Sequence, residues 1–132
     1  MFIVDIDHFK QINDTHGHEA GDRVLIGAAK LIKAHADLTG SLSARFGGEE
    51  FVVLSTDLTD IAAEASAEAL RTHFAASRFD ATDEPISATI SIGLAELDPG
   101  ETLSNALNAA DQMLYLAKSG GRNKVVSDRS FA

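Results

Sequence analysis

Two strand-like runs, residues 42–46 and 50–54, meet across Gly47 and Gly48. A Gly-Gly pair accepts positive φ at both positions without a Cβ penalty, so it suits a tight hairpin. A hairpin commits this stretch to an antiparallel pair and sets Glu49 and Glu50 directly behind the turn. The other elements arrange themselves around it. Residues 2–7 form a short apolar run ending in acid, a buried strand. Residues 22–35 read as a helix with Val24, Leu25, Ala28, Leu31 and Ile32 on one face. The Ala-rich stretch 60–74, unbroken by Gly or Pro, predicts a second helix.

Residues 86–94 alternate, with Ile86, Ala88, Ile90, Ile92 and Leu94 opposite Ser87, Thr89 and Ser91, the pattern of a strand with one apolar face. Leu103, Ala106, Leu107, Ala110, Met113, Leu114 and Ala117 mark a third helix, with Gly120 and Gly121 as terminators. Residues 124–127 close as a last strand. The order β-α-β-β-α-β-α-β predicts an α/β (α+β) sandwich in which helices cover a mainly antiparallel sheet.

Composition bounds the function. A chain of 132 residues, 45% hydrophobic, suits one domain with a real core. The sequence has no cysteine, which excludes disulfides and thiolate metal sites and fits a reducing cytoplasm. No apolar run approaches the roughly 20 residues that span a bilayer. A net charge of −9 argues against broad binding to nucleic-acid polymers or anionic membranes. A nucleotide is still compatible, because a few cations and a metal reverse the field within one cleft.

Four constellations carry chemistry. In Asp5-Ile6-Asp7, residues two apart on a strand share a face, so both carboxylates can enter one cleft. Glu49-Glu50 is the second acid pair. Carboxylates about 4 Å apart repel by roughly 4 kcal/mol at an effective dielectric of 20, unless a hard cation lies between them. Oxygen-only donors favour Mg²⁺, with Mn²⁺ as the alternative. Acids at strand ends can also simply be solvated.

Lys10, Lys118 and Arg122 are cations of the kind a triphosphate needs beside a metal. The turn around His8, Phe9 and Lys10 adds backbone N–H groups. Lys118 and Arg122 could equally complement the end of a helix dipole. In the fourth group, Asn13, His18 and Asp22, an amide can pair with a purine edge and a carboxylate can accept N1–H and N2–H of guanine. Asp22 could instead cap the following helix. His16 and His18 around Gly17 are a loose zinc signal without Cys or an HExxH motif. No nucleophile elbow supports a Ser-His-Asp site.

These residues also resemble a known family. The run from Asp5 to Asp14 (DIDHFKQIND), then Gly17-His18 and Gly21-Asp22, is similar to the opening signature of the GGDEF diguanylate cyclases. Arg45-Phe46-Gly47-Gly48-Glu49-Glu50-Phe51 resembles the naming motif in its GGEEF spelling. Thr89-Ile90-Ser91-Ile92-Gly93 looks like the later strand. Ala110-Asp111, Leu114-Tyr115, Ala117-Lys118 and Gly121-Arg122-Asn123 look like the closing pattern. The blocks cover nearly the whole chain, so the resemblance implies one catalytic domain over residues 1–132 with a nucleotidyl-cyclase, polymerase-palm-like fold on a ferredoxin-like core.

The resemblance further implies that Asp5, the Ile6 carbonyl, Glu49 and Glu50 hold metal, and that Glu49 helps deprotonate a 3′-hydroxyl. It assigns guanine binding to Asn13, His18 and Asp22, and the phosphates to Phe9, Lys10, Lys118 and Arg122. Lys10 joins Glu49 and Glu50 as a catalytic residue. The implied reaction condenses two GTP into cyclic di-GMP with release of pyrophosphate, in a homodimer that meets head to head. The implied location is cytoplasmic, downstream of a sensory domain.

Two departures qualify this. An Arg-x-x-Asp product-inhibition motif is replaced by Leu38-Thr39-Gly40-Ser41, so no strong feedback is expected there, and a cyclic di-GMP receptor is disfavoured. The chain also begins directly in its first strand, without the helix that family members place ahead of it. That absence is expected to uncover apolar surface, and it leaves a non-catalytic GTP-binding or dimerisation module as the alternative reading. Asp37-Leu38-Thr39-Gly40 echoes words of the missing segment by coincidence.

Overall fold

A computed structural model describes residues 1–80 and 83–128; residues 81–82 and 129–132, the last of which end the expected domain, lie outside it. The elements run β1 (Phe2–Ile6), α1 (Phe9–His16), α2 (His18–Leu38), β2 (Leu42–Gly47), β3 (Glu50–Leu54), α3 (Asp60–Ala76), β4 (Ile90–Leu94), α4 (Leu103–Ser119) and β5 (Val125–Ser127). The strands form one five-stranded sheet in the order β2-β3-β1-β4-β5. Only the β4–β5 pairing is parallel. The mainly antiparallel sandwich read from the sequence is the observed architecture, and β2-β3-β1-β4 with its two crossing helices is the ferredoxin-like arrangement.

β1 lies at the centre with every residue buried. Phe2, Val4 and Ile6 join the core beneath α2 and α3, while Ile3 faces α4 with Ala110 and Leu114. A strand covered on both faces reads as a continuous apolar run, and only Asp5 interrupts this one. α4 approaches the sheet very closely. A Cβ placed on Gly93 would stand 2.1 Å from the Ala110 carbonyl oxygen and 2.4 Å from the Leu114 nitrogen. Helix backbone therefore rests directly on β4, where any side chain at Gly93 would hold it off.

Several expectations are corrected. The helix predicted over 22–35 begins at His18 and ends at Leu38, with Gly17 as its N-cap residue. Asp22 therefore does not cap it. A separate helix, α1, occupies residues read as a turn. Gly21, which looks like a helix breaker, is where α2 crosses α1, since a Cβ there would stand 1.8 Å from Asn13 Oδ1.

The strand predicted over 86–94 is ordered as a ladder only from Ile90. Its partner β1 ends at Ile6, and Ile86 instead forms an isolated bridge with Phe79. Ser91, expected on a polar face, is fully buried because α4 closes that side. On β2, Leu42 and Phe46 are exposed at 73% and 59%.

Candidate active site

The central strand delivers Asp5 to the face that α4 covers, where the carboxylate is only 3% exposed. Antiparallel register sets Asp5 opposite Glu50 of β3. From the far end of the sequence, Lys118 in the last turn of α4 donates to Asp5 Oδ2 at 2.6 Å. Burial raises the Asp5 carboxyl above its usual range. Lys118 opposes this, Glu49 adds to it, and a hydrogen bond with Glu50 opposes it. Glu50 is likewise raised, first by burial and then by the charge of Asp5. These two acids hold protons more tightly than carboxylates in water chiefly because burial disfavours their charged forms.

A cavity of about 350 Å³ opens beside this pair. Asp5, Ile6, Phe9, Lys10, Glu49, Lys118 and Arg122 all line it, so most of the residues expected at the metal and phosphate end converge. The turn into α1 is tight: His8 is left-handed at φ 55, ψ 33, and its carbonyl accepts the Ile12 N–H at 3.1 Å. The expected turn of N–H donors is thus the first turn of a helix, whose free N–H groups and positive dipole end favour anions.

Lys118 and Arg122, which could have served merely as helix-end cations, stand in the cavity wall. The cations and acids arrive from β1, α1, the β2–β3 turn, α4 and the loop after it. The residues joined here are far apart in sequence, Asp5 and Lys118 by 113 positions.

Asn13, His18 and Asp22 do not line that cavity. They lie at the α1–α2 crossing, where His18 and Asp22 are exposed one turn apart on α2. The Asn13 Oδ1 atom is buried without a hydrogen-bond partner in the protein. An acceptor left in that state suits a donor supplied by a ligand.

Asp5 and Asp7 both line the cavity, as their two-residue spacing on the strand suggested, but the Asp7 carboxylate is already engaged. Asp7 accepts from Thr89 Oγ1 at 2.7 Å, Ser91 Oγ at 2.7 Å and the Asn123 N–H at 3.0 Å. Its carboxylate ties β1 to β4 and to the loop after α4. The same-face alternation of Thr89 and Ser91 was the one sequence signal for these partners.

The donor set suits a hard divalent cation. The anionic ligand atoms beside Asp5 are carboxylate oxygens, and a cation there would relieve the burial that disfavours the charged forms of Asp5 and Glu50. Among the described residues, no group of three His, Asp or Glu side chains could hold a metal. Mg²⁺ commonly uses only one or two carboxylates and takes its other ligands from water and phosphate. His16 and His18 form no metal cluster among the described residues either.

The sequence profile described as "Diguanylate cyclase, GGDEF domain" matches residues 1–124. The chain belongs to the GGDEF family. It is 38% identical over 131 residues to Diguanylate cyclase A of Treponema denticola, covering 98% of this chain and 35% of that protein. It is 44% identical over 128 residues to Diguanylate cyclase DgcP of Pseudomonas aeruginosa, covering 95% of this chain and 18% of that protein.

The crystal structure of the GGDEF domain of DgcB from Caulobacter crescentus in complex with c-di-GMP superposes with a TM-score of 0.88 at 36% identity, covering 96% of this chain and 75% of that one. The chain therefore spans about a third or less of those two full-length relatives. Across this GGDEF domain, no helix among the described residues is long and apolar enough to cross a membrane.

Proposed function

We propose that this GGDEF domain, residues 1–132, is a diguanylate cyclase that condenses two molecules of GTP into cyclic di-GMP. The reading rests on one observation above all: Asp5, Glu49, Lys10, Lys118 and Arg122, drawn from distant parts of a GGDEF chain, line a single cavity. Asp5, the Ile6 carbonyl, Glu49 and Glu50 are the residues that would hold a divalent cation, Mg²⁺ or Mn²⁺. When bound, such an ion neutralises triphosphate charge and polarises the α-phosphoryl group.

The chain's own residues do the rest. Lys10, Lys118 and Arg122 bind and orient phosphate oxygens, with the first-turn N–H groups of α1 behind them. Glu49 accepts the proton of the attacking 3′-hydroxyl. The 3′-oxygen bonds to the α-phosphorus of the other GTP, the bond to pyrophosphate breaks, and a second round closes the ring. Asn13, His18 and Asp22 read the guanine, where an acid at Asp22 accepts two donors that adenine lacks. One triphosphate per cavity implies that two copies must face each other.

Product feedback at the Leu38–Ser41 turn is not expected. Leu38 is exposed and uncharged, and Ser41 is buried in a hydroxyl chain with Thr39 and Ser55. Neither grips a guanine or a phosphate as an Arg fork with a carboxylate would.

The deciding experiment is chromatography of products from purified protein, GTP and Mg²⁺. Cyclic di-GMP and pyrophosphate are expected from the parent and not from Glu49→Gln. A folded parent that binds GTP yet yields neither product would overturn the cyclase in favour of a binding module.

A further inference from the structure

Outside the cavity, α3 contributes a side chain that reaches the loop carrying Arg122. Arg71 donates through Nη1 to the Asn123 side-chain oxygen at 2.9 Å and to the Asn123 carbonyl at 3.4 Å. The other edge of its guanidinium is taken by Glu68, through Nε at 2.9 Å and through Nη2. The fork is thus filled on both sides, and the side chain is only 20% exposed.

The loop it grips is unusual. Gly121, Arg122 and Asn123 all have positive φ, at 109°, 65° and 47°. Two consecutive non-glycine residues in the left-handed region are disfavoured and persist only where neighbours hold them. Here the loop is held at Asn123 by both backbone and side chain. The Asn123 N–H reaches Asp7 Oδ2 at 3.0 Å, and the Asn123 side chain is anchored by Arg71. Next to this doubly tied residue, Arg122 lines the cavity with Lys118.

We propose that Arg71 is a positioning residue: by clamping Asn123 it keeps the 121–123 loop left-handed and so presents Arg122 to the triphosphate. The proposal rests on the cyclase reading for the identity of the ligand, while the clamp itself is independent of it. Arg71 is 52 positions from Asn123 in sequence, so no local pattern marks it. Its planar fork matters because it meets Glu68 and Asn123 at the same time. A lysine offers a point charge and cannot hold both edges.

The test uses the parent, Arg71→Met, Arg71→Lys, Arg122→Ala and the Arg71→Met/Arg122→Ala double variant. Amide hydrogen exchange over residues 120–124 reads the clamp, and the affinity for GTP with Mg²⁺, with KM and kcat, reads the presentation of Arg122. Arg71→Met is expected to speed exchange in that segment and weaken GTP by roughly tenfold, the scale of one lost charge-assisted contact. Arg71→Lys should fall between the parent and Arg71→Met. In the Arg122→Ala background, Arg71→Met should cost little more, because the side chain it positions is already gone.

Unchanged exchange in Arg71→Met would overturn the clamp. Faster exchange with unchanged GTP affinity, or full additivity in the double variant, would overturn the positioning role. A parent that binds no GTP would remove the cyclase reading, and loop exchange alone would then uphold or overturn the clamp.

Discussion

Asp5 and Glu50 face each other across the central strands, and both carboxyls are raised first by burial, Glu50 further by the charge of Asp5 and Asp5 further by that of Glu49. A carboxyl whose folded-state pKa lies above its unfolded value adds stability that is present at low pH and lost as pH rises through the folded value. At neutral pH the pair therefore costs the metal-free fold stability. Glu50→Gln should raise the metal-free melting temperature by a few degrees at pH 7, from about 1 kcal/mol of screened repulsion. That gain should shrink as pH falls through the carboxylate range. The same substitution should lower turnover by roughly 10²-fold or more. Thermal melts and initial rates on one preparation test both halves, and a variant that is less stable than the parent at pH 7 would contradict the assigned repulsion.

Among the elements, two contacts have consequences that can be measured. α4 rests its backbone on Gly93, so Gly93→Ala places a methyl group against atoms that cannot swing aside. Overpacking of this kind costs about 2–3 kcal/mol, or roughly 10 °C in a domain of this size. Because α4 also carries Lys118 to Asp5, activity should fall with the melting temperature, as differential scanning calorimetry and rate measurements would show.

The second contact joins α2 to α3, where His35 Nε2 and His73 Nδ1 lie 2.9 Å apart. Burial and then the His73 charge lower the His35 pKa. The unfolded chain thus binds this proton more readily, and stability falls as pH drops below the ordinary histidine value of about 6.5. Denaturant midpoints at about pH 7.5 and about pH 5.5 should differ less in His35→Gln than in the parent.

For the whole molecule, the proposed reading gives each cavity one triphosphate, while the proposed product joins two. Turnover then requires two copies to meet, and each carries a net charge of −9. Like-charged copies associate weakly at low salt. The rate per unit of protein should therefore climb with protein concentration in the dilute range, and strict proportionality between rate and concentration would contradict the dimer. The same scale makes the proposed triphosphate compatible with a strongly acidic chain. Lys10, Lys118 and Arg122 are gathered at one cavity while most of the acids stay elsewhere on the surface.

Local order was readable where local physics sets it. The Gly47-Gly48 hairpin, the Ala-rich α3 and the apolar face of α4 follow from turn chemistry, propensity and periodicity, all of which act within a few residues. The acid and cation sets were readable as residue types, and their order along the chain matched the family to which the domain belongs. α1 was hidden because Ile12 is its one buried residue and only the half-buried Phe9 adds to its apolar side, too little to show a helical period. The true start of α2 was hidden because Gly21 earns its place by contact with Asn13 rather than by local preference.

The partners of Asp7 and Asp5 lay beyond any local pattern. Thr89, Ser91 and Lys118 are 82, 84 and 113 positions away from the acids they bind. Only the closing of α4 over the sheet at Gly93 brings the last of them within reach. Burial then changes what the residues can do: the Asp5 and Glu50 carboxyls, ordinary acids in an unfolded chain, hold their protons more tightly once the sheet and α4 have taken away their water.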